Sequence, residues 1–393
     1  MTPWGEDYVN LALRVEKHFE GFVDAYCGPQ EVKARIDKEE KRPLTELYDD
    51  AESLAHTVPS EDEPRKVFLK KQITGIQTTI QILQGEEIDY VKQVELFFDI
   101  KPEKVPDSLF EKQKQVLQDI FKREDLAEVL EEWRKKREVP EQLLQKSLTV
   151  LSEECQRRTG ELLPLPEKEQ VDFVLVTDKP WSGYNWYLGN YKSRVEINTD
   201  TPIYSTGLPS LVSHEAYPGH HTEHSIKEQV LYQEKGFFEA CVFVYNTPEC
   251  LISEGIANVG LELIFGERAE AYRVLKERLK VPLDVERDAA VAEALTRLAP
   301  CSGNASLMLH KENAEPAEAI EYLIDVGLST KERAEKQVQF MTNPLFQAYI
   351  FNYYAGKDLV SEALKTMDFR IFYEHQICPS NLQYFRTRPS GTR

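Results

Sequence analysis

A histidine-rich segment between residues 214 and 224 contains the densest group of potential metal ligands in the sequence. Four of the eight histidines fall within these eleven residues. The candidate ligands and bases are His214, Glu215, His220, His221, Glu223 and His224. Imidazole and carboxylate groups together form a donor set that zinc favours in proteins. The segment therefore predicts a hydrolytic zinc site.

The spacing within this segment departs from the usual motif of zinc peptidases. HExxH places two histidines on one helix face, about 6 Å apart along the axis. His214 and Glu215 begin such a motif, but Pro218 stands where the second histidine belongs. On a regular helix His220 faces away from His214, and His221 lies about 10.5 Å further along the axis. Because Zn–N bonds are about 2.0–2.1 Å long, neither histidine joins His214 on a straight helix.

Pro218 and Gly219 predict a break that solves this problem. Pro218 has no N–H to bond the carbonyl of His214, and Gly219 tolerates the backbone angles of a bulge. Two residues looped out of the helix would bring His220 to the position of the second ligand. A smaller distortion would bring His221 there instead, and the spacing leaves both histidines open.

The predicted third protein ligand is Glu254, which lies in the apolar helical segment LISEGIANVGLELIFG. An acid on a largely buried helix is costly unless it is paired or bound to a metal. Three protein ligands leave a fourth zinc position for water, which is the arrangement of catalytic sites. The predicted ligand set is therefore His214, His220 or His221, and Glu254.

Two other interpretations remain open on the residues alone. His220, Glu223 and His224 fit the inverted zinc motif HxxEH, whose spacing suits an undistorted helix. The histidines also fit a solvent-exposed loop without metal, with Glu254 as an acid near a helix N-terminus.

The surrounding pattern predicts a mainly α fold, a helical body with a cleft. Apolar residues at helical spacing predict early helices at 62–84, 107–122, 124–137 and 140–159. Short β-branched and alternating runs predict a small sheet at about 170–205, beside the metal-binding helix. The pattern is helical again from 208 to about 375. We therefore predict a helical region at 1–160 and a catalytic region at 161–393, packed as one intertwined body.

The composition excludes several classes of function. The chain has 393 residues, a net charge of −19 and a pI of about 5.0. Such a surface repels nucleic acids and anionic lipid, so we expect no nucleic-acid or membrane partner. The six cysteines are scattered without a CxxC pair, and the first residues do not resemble a signal peptide. These features predict a cytoplasmic protein and leave its oligomeric state open.

The motifs resemble those of a bacterial family known as domain of unknown function 885. HEAYPGHH at 214–221 is similar to the family's HExxPGHH, and GFVDAYCGP, SEGIAN and YYAGK are similar to further family segments. The resemblance implies a gluzincin-like metallopeptidase fold. It also implies zinc ligation by His214, a following histidine and Glu254, with Glu215 as base. The chain departs from the family pattern at Ile256, and in the spacing between Gln347 and Tyr353.

Together these features predict a zinc metallopeptidase that cleaves short peptides. Glu215 takes a proton from water and passes it to the leaving amine. Tyr353 is the predicted donor to the oxyanion, with Tyr349 or Tyr354 as substitutes. Two alternatives are a non-catalytic binding or scaffold protein on a peptidase fold, and a zinc hydrolase of a non-peptide amide or ester.

Overall fold

The computed structural model describes residues 3–179 and 181–386, and it is mainly helical with two small sheets. This confirms the predicted fold class. The helices before residue 170 are α1 (Pro3–Glu16), α2 (Gln30–Lys38), α3 (Leu44–His56), α4 (Glu63–Leu83), α5 (Tyr90–Phe98), α6 (Asp107–Phe121), α7 (Leu126–Lys135) and α8 (Glu141–Leu162).

The later helices lie between residues 208 and 374. They are α9 (Leu208–Glu215), α10 (His220–Lys227), α11 (Pro248–Phe265), α12 (Arg268–Leu279), α13 (Val285–Thr296), α14 (Cys301–His310), α15 (Pro316–Asp325), α16 (Lys331–Met341), α17 (Ile350–Ala363) and α18 (Ile371–Glu374). A π-helical stretch spans Glu228–Glu234, and 3-10 turns span Phe238–Cys241 and Pro379–Tyr384. No helix in the described part of the chain is long and apolar enough to cross a membrane.

Helix α4 illustrates why apolar spacing located the early helices well. Asp62 caps its N-terminus by accepting a hydrogen bond from the backbone N–H of Arg65. Ile73, Ile76 and Ile80 recur at helical spacing and are fully buried in the core. The predicted bounds 62–84 match α4 to within a residue at each end, and α6, α7 and α8 follow their predictions closely.

A three-stranded sheet lies where a small sheet was predicted. It consists of β2 (Gln170–Val176), β3 (Gly183–Gly189) and β4 (Lys192–Asn198), in the order β2-β4-β3. Strand β4 pairs parallel with β2 and antiparallel with β3. Val195 and Ile197 of β4 are fully buried, since they point from the sheet into the core beneath it.

A second, two-stranded sheet was not predicted. Strand β1 (Val23–Tyr26) pairs antiparallel with β5 (Val242–Val244), more than 200 residues later in the sequence. These strands are too short to show a clear alternating pattern. Their pairing joins the N-terminal region to the segment that leads into α11. The division at residue 160 stays a prediction.

Helices α11 and α17 pack with their backbones in close approach. A Cβ atom on Gly255 of α11 would lie 2.5 Å from the carbonyl oxygen of Gly356 on α17. Only glycine permits so close a crossing at this point. The crossing brings Glu254, next to Gly255, alongside Tyr349 and Tyr353 at the start of α17.

Candidate metal centre

The histidine-rich segment folds as two helices joined by a tight turn, rather than as the single bulged helix that we predicted. Helix α9 ends at Glu215 and α10 begins at His220. In the turn the N–H of Gly219 donates to the carbonyl of Ser213 at 2.9 Å. A Cβ atom at Gly219 would overlap the carbonyl oxygen of His214, so the turn requires glycine.

Hydrogen bonds from three neighbouring elements hold this turn in place. Asn185 of β3 donates its Nδ2 to the carbonyl of Glu215 at 2.6 Å. Tyr373 of α18 donates its hydroxyl to the carbonyl of Pro218 at 2.7 Å. The hydroxyl of Thr222 on α10 donates to the carbonyl of Ala216 at 3.1 Å. The orphaned carbonyls of the helix end are thereby satisfied, which fixes the relation of His214 to His220.

The turn and α11 bring His214, His220 and Glu254 together. One ligand atom of each lies within 4.8 Å of those of the other two. The Nε2 atoms of His214 and His220 are 3.2 Å apart, and His214 Nε2 is 3.5 Å from Glu254 Oε2. Tetrahedral bonds of the usual Zn–N and Zn–O lengths place neighbouring ligand atoms about 3.3 Å apart. The three side chains thus fit zinc in type and in spacing.

Both histidines of the cluster are in the neutral form that binds metal. Burial lowers the pKa of His214 to about 4, although a hydrogen bond with Asn258 opposes the shift. Burial and the nearby His214 lower the pKa of His220 well below its ordinary value. At neutral pH each ring therefore has a lone pair for a metal.

A chain of buried polar groups orients the His220 ring. Its Nδ1 lies 3.1 Å from the hydroxyl of Ser253, and that hydroxyl donates to Glu223 at 2.5 Å. Glu223 is paired in turn with Lys227 at 2.7 Å, and Lys227 with Glu249 at 2.7 Å. The outward nitrogen of His220 is thus held by the protein, which leaves Nε2 to face the cluster.

Glu254 and Glu215 are acids in a poorly solvated setting. Burial raises the pKa of Glu254 to about 8, against a hydrogen bond that its Oε1 accepts from Tyr349 at 3.1 Å. Burial, followed by the charges of Glu254 and Asp24, raises the pKa of Glu215 to about 8. Within the described residues no side chain donates a hydrogen bond to the Glu215 carboxylate. It remains available to accept and return a proton near neutral pH.

His221, the alternative second ligand, does not join the cluster. Its Nδ1 lies 2.8 Å from Ser193 Oγ, and its Nε2 lies 2.8 Å from Glu169 Oε2. Tyr217 also donates a hydrogen bond to Glu169. Both ring nitrogens of His221 are therefore engaged by the sheet side of the protein. Because α10 begins at His220 and His220 points at His214, the next residue, His221, points to another side of that helix.

The inverted HxxEH motif does not assemble either. Glu223 is engaged by Lys227 and Ser253, as described above. His224 packs between the rings of Tyr187 and Phe243, with centroid separations of 5.1 and 5.2 Å. Among the described residues the one cluster with metal-binding spacing consists of His214, His220 and Glu254.

The three candidate tyrosines have different surroundings. The hydroxyl of Tyr349 is bound to Glu254, and that of Tyr354 is buried without a partner in the described structure. Tyr353 is 41% exposed, and its hydroxyl forms no hydrogen bond with the described residues. Desolvation, Glu254 and Glu215 raise its pKa, so it stays a protonated donor beside the cluster.

Sequence reasoning missed three polar residues around the metal ligands: Glu169, Ser253 and Asp24. Glu169 precedes β2, Ser253 precedes a ligand, and Asp24 lies on β1. The segments GFVDAYCGP and SEGIAN contain Asp24 and Ser253, and their family resemblance was the available signal. Glu169 carried no signal in the sequence.

Comparisons with known proteins bear on the fold alone. No family model matches the chain, and no curated protein matches it. A solved structure from Colwellia psychrerythraea is 13% identical, with a TM-score of 0.57, covering 86% of this chain and 66% of that one. One from Shewanella oneidensis is also 13% identical, with a TM-score of 0.51, covering 87% of this chain and 71% of that one. Each is described as a "putative lipoprotein", the second as one of unknown function.

Proposed function

We propose that this chain is a zinc-dependent hydrolase, a metallopeptidase that cleaves peptide bonds of short peptides. The observation that carries the proposal is the convergence of His214, His220 and Glu254 at zinc spacing, next to the unpartnered carboxylate of Glu215. Bound zinc would polarise the scissile carbonyl and make water more acidic. The likeness to domain of unknown function 885 and to gluzincins belongs to this proposal.

The residues around the cluster have separate tasks in this reaction. Glu215 accepts a proton from the attacking water at a carboxylate oxygen and delivers it to the leaving amine. Tyr353 donates its hydroxyl to the oxygen on which negative charge develops. Tyr349 holds Glu254 in place through its hydrogen bond.

The proposed setting is cytoplasmic, without nucleic-acid or membrane partners. Two facts support it: the net charge is −19, and the six cysteines are all free thiols. The lipoprotein description of the structural neighbours is the competing possibility, and cell fractionation with an antibody to the full chain distinguishes the two.

A peptide screen tests the proposed activity. Zinc-loaded protein is incubated with a defined mixture of short peptides, and mass spectrometry follows the products. We expect cleavage that stops on chelation and returns with added zinc. Absence of any cleavage by protein that contains zinc would contradict the peptidase proposal. The same protein is then given ester and non-peptide amide substrates, and cleavage of these alone would favour the alternative hydrolase.

A further inference from the structure

Asp24 lies on β1, far from the metal ligands in the sequence but near them in the fold. On β1, Val23 pairs with Val244 of β5, while Ala25 pairs with the adjacent Phe243. Asp24 is therefore the extra residue of a β-bulge, without a partner of its own on β5. Bulges redirect a side chain away from the regular pleat, and they are common beside active sites.

The carboxylate of Asp24 has no positive partner in the protein. Tyr184 of β3 donates a hydrogen bond to it, and Tyr245 is a second hydrogen-bond partner. No lysine, arginine or histidine forms an ion pair with it among residues 3–179 and 181–386. Two tyrosine hydroxyls bond this partly buried carboxylate but leave its charge without a partner, so the position favours a ligand of opposite charge.

Glu215 and Asp24 both lie close to the first two residues of strand β3. A Cβ atom on Gly183 would lie 3.4 Å from Glu215 Oε1, and the following residue, Tyr184, bonds Asp24. Asp24 is also close enough to Glu215 and Glu254 for its charge to act on both carboxylates. A group bound at Asp24 would therefore lie near Glu215, the proposed base.

Aromatic rings lie between Asp24 and the metal ligands. We call this group the aromatic wall; it consists of Tyr184, Trp186, Tyr245, Tyr349 and Tyr353. The Tyr184 ring lies 4.7 Å from that of Trp186, and the Tyr245 ring lies 5.3 Å from that of Tyr349. Tyr349 lies 5.7 Å from Tyr353 in turn. Ring faces attract cations as well as apolar groups, and two of these rings, Tyr184 and Tyr245, carry the hydroxyls that bond Asp24.

We propose that Asp24 and the aromatic wall form a subsite for an ammonium group of the substrate. The proposal rests on the proposed function, since it places this subsite beside the bond that Glu215 and zinc would attack. It names the substrate class as peptides or amides with a free amine near the scissile bond. The amine is the α-amino group of a short peptide or the end of a lysine side chain, and both carry the same charge.

Calorimetric binding tests the subsite without requiring turnover. Zinc-loaded Glu215→Gln protein is titrated with phenylalanyl-alanine, N-acetyl-phenylalanyl-alanine and N-acetyl-lysyl-alanine. We expect at least one peptide with a free amine to bind about tenfold or more tightly than N-acetyl-phenylalanyl-alanine. Adding Asp24→Asn should abolish that preference, whereas adding Asp172→Asn on exposed β2 should not.

The peptide that gains affinity identifies the source of the ammonium group. A preference for phenylalanyl-alanine indicates the α-amino group, and one for N-acetyl-lysyl-alanine indicates the side chain. Equal binding of the three peptides, or binding of none, would overturn the proposal even if Asp24→Asn failed to fold. Hydrolysis of the same peptides by the chain with Glu215 intact is measured separately. If the peptides bind in an amine-dependent way but are not hydrolysed, the peptidase function is rejected and the ammonium subsite is retained.

Discussion

His220 and His221 are neighbours in the sequence but lie in opposite environments. His220 belongs to what we call the metal face: His214, Glu215, His220 and Glu254. His221 belongs to the support face, which comprises His221, Glu223 and His224. On the support face Glu169, Ser193 and Lys227 supply polar partners, and aromatic rings enclose His224.

The two faces differ in whether other protein groups already bond both ring nitrogens of the histidine. Both nitrogens of His221 are engaged, so no lone pair remains for a metal. On the metal face His220 has one nitrogen fixed by Ser253 and the other directed at His214 and Glu254. Residue type alone therefore does not distinguish a ligand from a structural histidine; the partners do.

A pair of isosteric substitutions gives the largest expected contrast between the faces. Glu215→Gln should lower turnover by about 10² to 10⁴-fold and keep the zinc, because only the proton acceptor is lost. Glu223→Gln should weaken zinc binding by about tenfold, because the orientation of Ser253 and His220 is relaxed. At saturating zinc its turnover should fall far less. Steady-state kinetics and zinc titration of both variants check this, and the reverse pattern would favour the HxxEH interpretation.

Substitution of the turn tests whether its shape assembles the metal face. Gly219→Ala should reduce zinc affinity by at least about tenfold, because the added Cβ overlaps the His214 carbonyl and displaces His220. Gly160→Ala on α8 is the matched control, since its nearest neighbour would be 4.0 Å away. Competitive zinc titration compares the two. Unchanged affinity in Gly219→Ala would show that the turn is not what brings the ligands together.

The smallest expected effect concerns His224 and acid stability. Burial and Lys227 lower the pKa of His224 to about 3, below its ordinary value of 6.5, with Glu249 opposing. The unfolded chain then binds a proton that the folded chain does not, so stability is lost as the pH falls below the ordinary value. His224→Phe removes this loss and keeps a ring between Tyr187 and Phe243. Its Tm relative to wild type should rise as the pH is lowered from about 7 to 5; a constant difference would contradict the assignment.

Local pattern accounted for much of the fold, and it singled out the three side chains that the structure brings together. Apolar spacing located α4, α6 and α8 because each buries one face against a neighbour. The Pro218-Gly219 break indicated that a following histidine could meet His214, while the spacing left His220 and His221 both open. That the break would be a turn between two helices, and that His221 would bind Glu169, depended on packing against the three-stranded sheet.

The unpredicted features depend on contacts between distant parts of the sequence. Asp24 is placed near the site by the pairing of β1 with β5, and neither strand is long enough to show a recognisable alternating pattern in the sequence. The crossing of α11 and α17 depends on Gly255 and Gly356, about 100 residues apart in the sequence. Such pairings carry no local periodicity, so single-sequence reasoning does not find them.

The central claim is that the metal face, and not the support face, binds zinc. Metal analysis tests this claim most directly. Wild-type protein and His224→Phe should each contain about one zinc per chain after loading and desalting, because His224 is not a ligand of the proposed centre. His214→Ala combined with Glu254→Ala should contain none, while circular dichroism shows it folded. Full zinc in the double variant, or loss of zinc from His224→Phe, would contradict the assignment of the metal centre.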